Sequence, residues 1–277
     1  MMSSETLVLV AKRLEGEVAL ITGGASGIGE STTRLFVKHG AKILVADIQD
    51  ELGHSLCKEL GTPETISYIH CDVTSESDIE KAVNMAVSKY GKLDIMFNNA
   101  GIGGEPDEKV IASGIDNFKK VFDVNVFGAF LGAKHAARVM IPAKKGCILF
   151  MSSIVSKICM GLPHAYTTSK HAVVGMTQSL AVELGEYGIR VNCISPYAVI
   201  TSMFHKTTGI LDKKKGEEVA KAAAVLKGTL LEANDVANAA LFLASADAKY
   251  LNGVNLPVDG GYCLSNQTLK DYFITSC

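Results

Sequence analysis

The chain has 277 residues, of which 48% are hydrophobic, and it carries a formal net charge of −2. This length is enough to bury a sizeable core in a single domain. The near-neutral charge favours neither nucleic acid nor an anionic membrane as a partner, and the short run Lys213–Lys215 is interpreted as a solvated turn. Composition therefore excludes the strongly basic classes of protein.

Cysteine and histidine usage predicts neither a disulfide framework nor a metal site. The seven cysteines contain no CxxC pair, which is typical of reduced thiols, and the seven histidines lack metal-ligand spacing. Leu7–Ala11 is too short to span a bilayer and lacks signal-peptide features, and the end at Cys277 is no lipidation motif. We therefore expect no metal, no membrane partner and a cytoplasmic location.

Short apolar runs alternate with longer helical patterns along the chain. The predicted strands are 18–22, 42–46, 66–70, 93–97, 147–151, 189–194 and 254–258, and the predicted helices are 27–39, 49–60, 76–90, 114–140, 164–187 and 234–245. This alternation predicts an α/β fold, a Rossmann-type doubly wound parallel sheet of seven strands with helices on both faces. We expect one domain at 14–263, a lid at about 201–231, and tails at 1–13 and 264–277.

A cluster of glycines, TGGASGIG at 22–29, follows the first predicted strand and opens the first predicted helix. Glycines allow a sharp turn and a close approach of the backbone to a pyrophosphate, whose charge would lie at the helix N-terminus near Gly27. The pattern predicts a dinucleotide-binding turn, and a simple tight turn is the alternative.

The second predicted strand ends in Asp47, whose carboxylate would bind the diol of an adenosine ribose. Ala25, Ser26 and Ile48 offer no cation for a 2′-phosphate, so NAD is favoured over NADP. The alternative is a loop aspartate that opens the helix beginning at Gln49.

Polar and turn residues follow the later strands, namely Asp72, Asn98–Gly101, Ser152–Ser153 and Pro196. Each alone could be a turn former or a helix cap. Because the carboxyl ends of parallel strands meet at one edge, the set is expected to line a crevice for a nicotinamide cofactor.

Tyr166 and Lys170 lie four residues apart in a predicted helix, so they share one face. An ammonium near a phenol favours the phenolate and lowers its pKa, which would make the pair a proton-transfer device. An isolated pair with this spacing is usually surface packing. The glycine turn, the parallel sheet and the polar edge favour catalysis here.

Ordered motifs make the chain similar to the short-chain dehydrogenase/reductase family from about Leu14 to Tyr262. They are TGGASGIG at 22–29, Asp72-Val73, NNAG at 98–101, Asn125, Ser153, Tyr166, Lys170, Arg190-Val191-Asn192 and Ser195-Pro196. One position departs from the family pattern, because Tyr197 stands where a glycine usually follows Pro196. The loop that contacts the carboxamide can therefore differ, and Tyr197 could face the substrate instead.

The resemblance implies roles for these residues. Tyr166 would be the general acid/base, Lys170 would bind the nicotinamide ribose, Ser153 would hydrogen-bond the substrate oxygen, and Asn125 would hold a water of the proton relay. The implied cofactor contacts are Tyr166, Lys170, Gly23, Ser26, Gly27, Ile28, Gly29, Asp47, Asp72, Val73, Asn99, Ala100, Gly101, Pro196, Val199 and Thr201. The implied substrate contacts are Ser153, Ile154, Tyr166, Tyr197, Met203 and Phe204.

Within the family, the chain looks most like plant enzymes of specialised metabolism that act on terpenoid and lignan alcohols. The resemblance implies NAD-dependent oxidation of a secondary alcohol or lactol of an apolar cyclic metabolite, terpenoid first and lignan second. Two alternatives stay open: a non-redox cyclase or isomerase that uses NAD as a scaffold, and a non-catalytic NAD-binding module. The resemblance also implies a homotetramer formed through the long helices at 114–140 and 164–187.

Overall fold

The computed structural model describes residues 12–106 and 109–264. Within these residues, seven parallel strands form one sheet in the order β3-β2-β1-β4-β5-β6-β7. The strands are β1 (Val18–Thr22), β2 (Lys42–Asp47), β3 (Ile66–His70), β4 (Ile95–Asn98), β5 (Gly146–Met151), β6 (Ile189–Pro196) and β7 (Asn255–Val258). The predicted doubly wound fold is confirmed, and the winding direction reverses between β1 and β4.

Helices pack on both faces of the sheet because its central strands are apolar on both sides. Leu20 and Ile21 are adjacent in β1 and fully buried in the two opposite cores. The helices are α1 (Gly27–Lys38), α2 (Asp50–Leu60), α3 (Glu76–Tyr90), α4 (Ile115–Phe122), α5 (Ala129–Ala143), α6 (His164–Gly185), α7 (Ser202–Thr208), α8 (Lys213–Ala223) and α9 (Ala233–Ala244).

The helix predicted at 114–140 is interrupted by one wider turn. α4 continues into a π-helical segment at Asp123–Gly128 and then into α5. Such π turns occur mostly as single insertions in α-helices and often at functional sites. This segment contains Asn125.

The predicted lid contains two helices that the sequence pattern did not indicate. The Thr201 side chain accepts a hydrogen bond from the Phe204 N–H at the start of α7, and Asp212 accepts one from the Lys215 N–H at the start of α8. The prediction of a solvated turn at Lys213–Lys215 is therefore wrong, because Asp212 caps these lysines as the first turn of a helix.

The first described residues pack against the domain. Arg13, predicted as the last residue of the N-terminal tail, forms an ion pair of 2.5 Å with Asp247 and donates to the Ser245 hydroxyl at 3.2 Å. Most of the two predicted tails, at 1–11 and 265–277, lies outside the described residues. None of the described helices combines the length and apolarity that crossing a bilayer requires.

Candidate active site

A cleft of about 1640 Å³ lies beyond the carboxyl ends of the strands. A pocket for one small ligand typically has about 300–1,000 Å³, so this cleft has room for a dinucleotide and a second molecule. Among the predicted site residues, Gly29 and Asn125 do not line it. The others do, namely Gly23, Ser26, Gly27, Ile28, Asp47, Asp72, Val73, Asn99, Ala100, Gly101, Ser153, Ile154, Tyr166, Lys170, Pro196, Tyr197, Val199, Thr201, Met203 and Phe204.

The glycine turn is fixed by contacts behind the cleft. A Cβ on Gly29 would lie 2.0 Å from the Gly23 carbonyl oxygen, so Gly29 permits close packing of α1 against the turn. The Asn99 amide donates to the carbonyls of Thr22 and Gly23 at 3.0 Å each. Gly29 was predicted as a cofactor contact; in the structure it supports the turn that faces the cleft.

The N-terminus of α1 suits a phosphate. Gly23 and Gly27 have positive φ angles of 60° and 57°, which aim the turn into the cleft. Ser26 is the N-cap of α1, and its side chain makes no capping hydrogen bond within the described structure. The first amide groups of α1 can therefore donate to an anion, as a dinucleotide pyrophosphate requires.

Asp47 both supports this turn and faces the cleft. Its carboxylate accepts hydrogen bonds from the Ala25 N–H at 3.0 Å and from the Gln49 N–H at 3.1 Å, and the residue is only 4% exposed. Asp47 therefore also stabilises its loop, as the alternative interpretation predicts. The Gln49 side-chain amide also donates to it, at 3.1 Å, and since a carboxylate has about four lone-pair sites, it keeps capacity for one ribose hydroxyl.

The end of the cleft around Asp47 contains no cation among its described residues. The segments after β2 and β3 contribute Asp47–Gln49 and Cys71–Thr74 to its lining, and none of these residues is basic. The Asp72 carboxylate accepts from the Thr74 N–H and hydroxyl at 2.9 and 2.8 Å, which fixes the turn after β3. A 2′-phosphate would find no basic partner among these lining residues.

Tyr166 and Lys170 lie one turn apart near the start of α6. The Lys170 Nζ is 5.6 Å from the centroid of the Tyr166 ring and donates to the Met151 carbonyl at 2.9 Å. The Ser152 hydroxyl donates to the Lys170 carbonyl at 3.0 Å, which ties α6 to the end of β5. The ammonium is 2% exposed, so its position is set by packing.

Burial controls the acid-base properties of this pair. It lowers the pKa of the Lys170 ammonium to about 8. It raises the pKa of the Tyr166 phenol, and a hydrogen bond between the Tyr166 and Ser153 hydroxyls opposes that rise. In the cofactor-free protein the Tyr166 pKa is raised and not lowered, because burial of the phenol is the main cause of its shift and the Lys170 ammonium donates to the Met151 carbonyl.

The Asn125 side chain connects the loop after β4 to α6. Its amide group donates to the Ile102 carbonyl at 2.9 Å and to the Ser169 hydroxyl at 3.0 Å, and its oxygen accepts from the Ile102 N–H at 2.8 Å. The Ser169 hydroxyl donates to the Tyr166 carbonyl at 2.7 Å. Both donors of the Asn125 amide are used, so this side chain positions the turn that carries Tyr166 and does not line the cleft.

The far end of the cleft, beyond Tyr166 and Ser153, is mostly apolar. Its lining includes Ile154, Met160, Leu162, Met203 and Phe204. The sequence reading missed Tyr262, whose ring stacks on that of Tyr197 at a centroid distance of 4.5 Å. No local signal could indicate this contact, because the two residues are far apart in the chain.

Comparisons of the whole chain with known proteins agree with this arrangement of residues in the cleft. A family model described as enoyl-(acyl carrier protein) reductase matches residues 23–263. A solved structure of 3-ketoacyl-(acyl-carrier-protein) reductase from Brucella melitensis, complexed with NADH, has a TM-score of 0.80 and 33% identity. That match covers 90% of this chain and 99% of the other.

Three curated relatives come from plants. Short chain aldehyde dehydrogenase 1 of Euphorbia lathyris is 58% identical over 92% of this chain and 91% of its own. Secoisolariciresinol dehydrogenase of Forsythia intermedia is 53% identical over 97% and 96%, and the mitochondrial borneol dehydrogenase of Lavandula x intermedia is 54% identical over 93% and 95%. The chain belongs to the short-chain dehydrogenase/reductase family and is an enzyme that uses a nicotinamide cofactor.

Proposed function

We propose that the enzyme uses NAD to oxidise a secondary alcohol or lactol of an apolar cyclic plant metabolite. A terpenoid is the first candidate for this substrate and a lignan is the second. The observation that carries the proposal is the position of Tyr166 and Ser153 between an apolar end of the cleft and an end that suits an unphosphorylated ribose. The names of the borneol and secoisolariciresinol dehydrogenases support the substrate class.

The residues that would hold NAD are the turn at 22–29, Asp47 and Lys170. Bound NAD would supply the hydride acceptor and a positive charge. The Ser153 hydroxyl donates to the substrate oxygen, and the Tyr166 oxygen takes the hydroxyl proton of the alcohol. Because burial alone raises the pKa of Tyr166, the phenolate needs nearby positive charge, which Lys170 contributes in its protonated form.

The lining of the far end supports an apolar substrate. Ile154, Met160, Leu162, Met203 and Phe204 supply aliphatic and aromatic surface, and no arginine occurs among the described residues of the cleft, while Lys206 of α7 also lines it. A carboxylate or phosphate on the substrate would therefore lack a bidentate partner. Rigid cyclic alcohols fit such a pocket best.

The proposal is tested by the mass of the product. The enzyme is incubated with NAD and borneol, isopiperitenol, nepetalactol or a lignan diol, and the products are analysed by mass spectrometry. Loss of two hydrogens supports the dehydrogenase. A product of unchanged mass supports the alternative, a cyclase or isomerase in which NAD is a scaffold.

The preference for NAD over NADP is expected to depend on Asp47. Asp47→Asn removes the negative charge but keeps an acceptor for the Ala25 N–H. Because a hydrogen bond to a charged group contributes about 1.5–3 kcal/mol, the ratio of kcat/KM for NAD over NADP should fall about 10- to 100-fold. Steady-state kinetics with both cofactors measure this ratio for the wild type and the variant. An unchanged ratio would contradict this role of Asp47.

We further propose that the enzyme is a homotetramer that assembles through the long helices. Large apolar side chains on this surface are exposed, with Phe127 56%, Phe130 44% and Val182 79% accessible. Apolar exposure of this kind marks interaction surfaces. Sedimentation analysis should give four copies for the wild type and fewer for Val182→Glu, and a monomeric wild type would contradict the proposal.

A cytoplasmic location is also proposed. It is supported by the six described cysteines, which are all free thiols, as expected in a reducing compartment. Imaging of a fluorescent fusion in plant cells tests it, and an organellar signal would contradict it.

A further inference from the structure

Two tyrosines from distant parts of the chain form one wall of the cleft. The Tyr197 N–H donates to the Val258 carbonyl at 3.0 Å, which holds the residue after β6 against the end of β7. Tyr262 lies in the short 3-10 turn at Tyr262–Leu264, and its ring stacks on Tyr197 with an interplanar angle of 25°. Both residues line the cleft, and we call them the tyrosine wall.

Asp259 fixes the turn that carries Tyr262. Its two carboxylate oxygens accept hydrogen bonds from the Gly261 N–H and the Cys263 N–H, each at 2.9 Å. Gly260 and Gly261 both have positive φ angles, 57° and 81°, so the chain reverses sharply at this point. Tyr262 is therefore presented by a rigid turn.

Both rings of the tyrosine wall are half-buried. Burial raises the pKa of Tyr197 to about 12, so this phenol stays neutral in the range in which the enzyme would be assayed. A stacked pair offers a broad apolar surface at a low cost in side-chain entropy, because each ring has only two rotatable bonds. Tyr197 follows Pro196 at the end of β6, so the wall stands at the carboxyl edge of the sheet, where the cleft lies.

We propose that Tyr262, stacked on Tyr197 and positioned by Asp259, determines specificity for ring-bearing alcohols over open-chain alcohols with the same number of carbons. A rigid ring can cover a flat aromatic surface without losing conformational freedom, whereas an open chain must be ordered to make the same contact. This inference rests on the proposed function. It adds a residue and a turn that the family motifs do not include.

The test compares borneol with 2-decanol, a cyclic and an open-chain secondary alcohol that both have ten carbons. Tyr262→Leu is expected to lower kcat/KM for borneol about tenfold and to change that for 2-decanol by about twofold or less. The matched control Tyr262→Phe keeps the ring and should retain the ratio of the wild type. The Kd for NAD, measured by calorimetry, should be unchanged in both variants.

Asp259→Ala provides a second test that leaves both rings in place. Release of the turn should reproduce the selective loss for borneol, mainly as a higher KM with little change in kcat. Equal losses for both alcohols, an unchanged ratio in Tyr262→Leu, or a parallel loss of NAD affinity would each overturn the inference.

The inference and the proposed function can fail separately. If the wild type oxidises both alcohols but Tyr262→Leu keeps their ratio, only the inference fails. If the wild type oxidises neither, the proposed function fails for these alcohols, and their Kd values for the NAD-loaded protein are compared by calorimetry. Selective weakening of borneol binding in Tyr262→Leu would then support the tyrosine wall, and equal or absent binding would overturn it.

Discussion

Replacement of Tyr166 by phenylalanine is expected to lower kcat/KM for alcohol oxidation by about 10³-fold or more, because the proton acceptor is removed. The Tyr166 hydroxyl shares a hydrogen bond with Ser153, and the centroid of its ring lies 5.6 Å from the Lys170 Nζ. Phenylalanine keeps the ring and its packing. Stopped-flow or steady-state measurement of NADH formation gives the size of the loss.

Two controls separate this effect from misfolding. The melting temperature and the Kd for NAD of Tyr166→Phe should match the wild type, since the hydroxyl supports neither the core nor the glycine turn. Ser153→Ala removes one donor to the substrate oxygen and should cost about 10²- to 10³-fold, so it leaves a measurable rate. Near-normal turnover by Tyr166→Phe would show that another group takes the proton.

Replacement of Lys170 by methionine is expected to change activity and stability in opposite directions. Activity should fall, because the charge that favours the Tyr166 phenolate is lost. The cofactor-free protein should become more stable at about pH 7, because burial lowers the Lys170 pKa from 10.5 to about 8. That shift corresponds to a penalty of about 3 kcal/mol for the buried charge.

The net gain should be smaller, at about 2 kcal/mol, because the hydrogen bond from Lys170 to the Met151 carbonyl is worth about 1 kcal/mol. The pH dependence fixes the sign of the effect. The folded protein releases the Lys170 proton near pH 8 and the unfolded chain near 10.5. The free energy of unfolding of the wild type therefore rises across this window, because the buried charge no longer destabilises the folded protein. Urea unfolding of the wild type and Lys170→Met between pH 8 and 10.5 measures the difference in their free energies of unfolding. A gain in Lys170→Met that does not shrink as the pH rises would contradict the lowered pKa of Lys170.

The sheet was predictable because most of its strands are short, largely apolar runs that alternate with helical patterns. β1 and β3 have the predicted bounds, at Val18–Thr22 and Ile66–His70. β4 begins two residues after the predicted start, at Ile95; the Asp94 carboxylate accepts from the Val18 N–H at 2.8 Å, so Asp94 caps the amino end of the neighbouring strand β1. Hydrophobic periodicity contains no information about such a contact.

The lid helices were missed for a different reason. α8 begins with three lysines and buries only Gly216 and Ala220, so its apolar stripe is too weak for a pattern to indicate. Its N-cap, Asp212, precedes three lysines and no apolar run, so the usual sequence signal for the start of a helix is missing. The lid helices are therefore defined by local capping and by contacts with the rest of the domain.

Most of the predicted site residues line the cleft, whereas Gly29 and Asn125 lie one layer behind it. Gly29 and Asn125 belong to the family motifs, but their contacts are with the Gly23 carbonyl and with Ile102 and Ser169. A motif records which residues occur together and cannot separate a ligand contact from its support. Tyr262 lies near the end of the described chain, and only the fold brings it to the cleft.

The most direct test of the proposed reaction is the stoichiometry of NADH and ketone formed from borneol by the wild type and by Tyr166→Phe. We predict equimolar NADH and ketone with the wild type and almost none with the variant. Ketone without NADH, or the same yield from both proteins, would contradict hydride transfer to NAD with Tyr166 as the base.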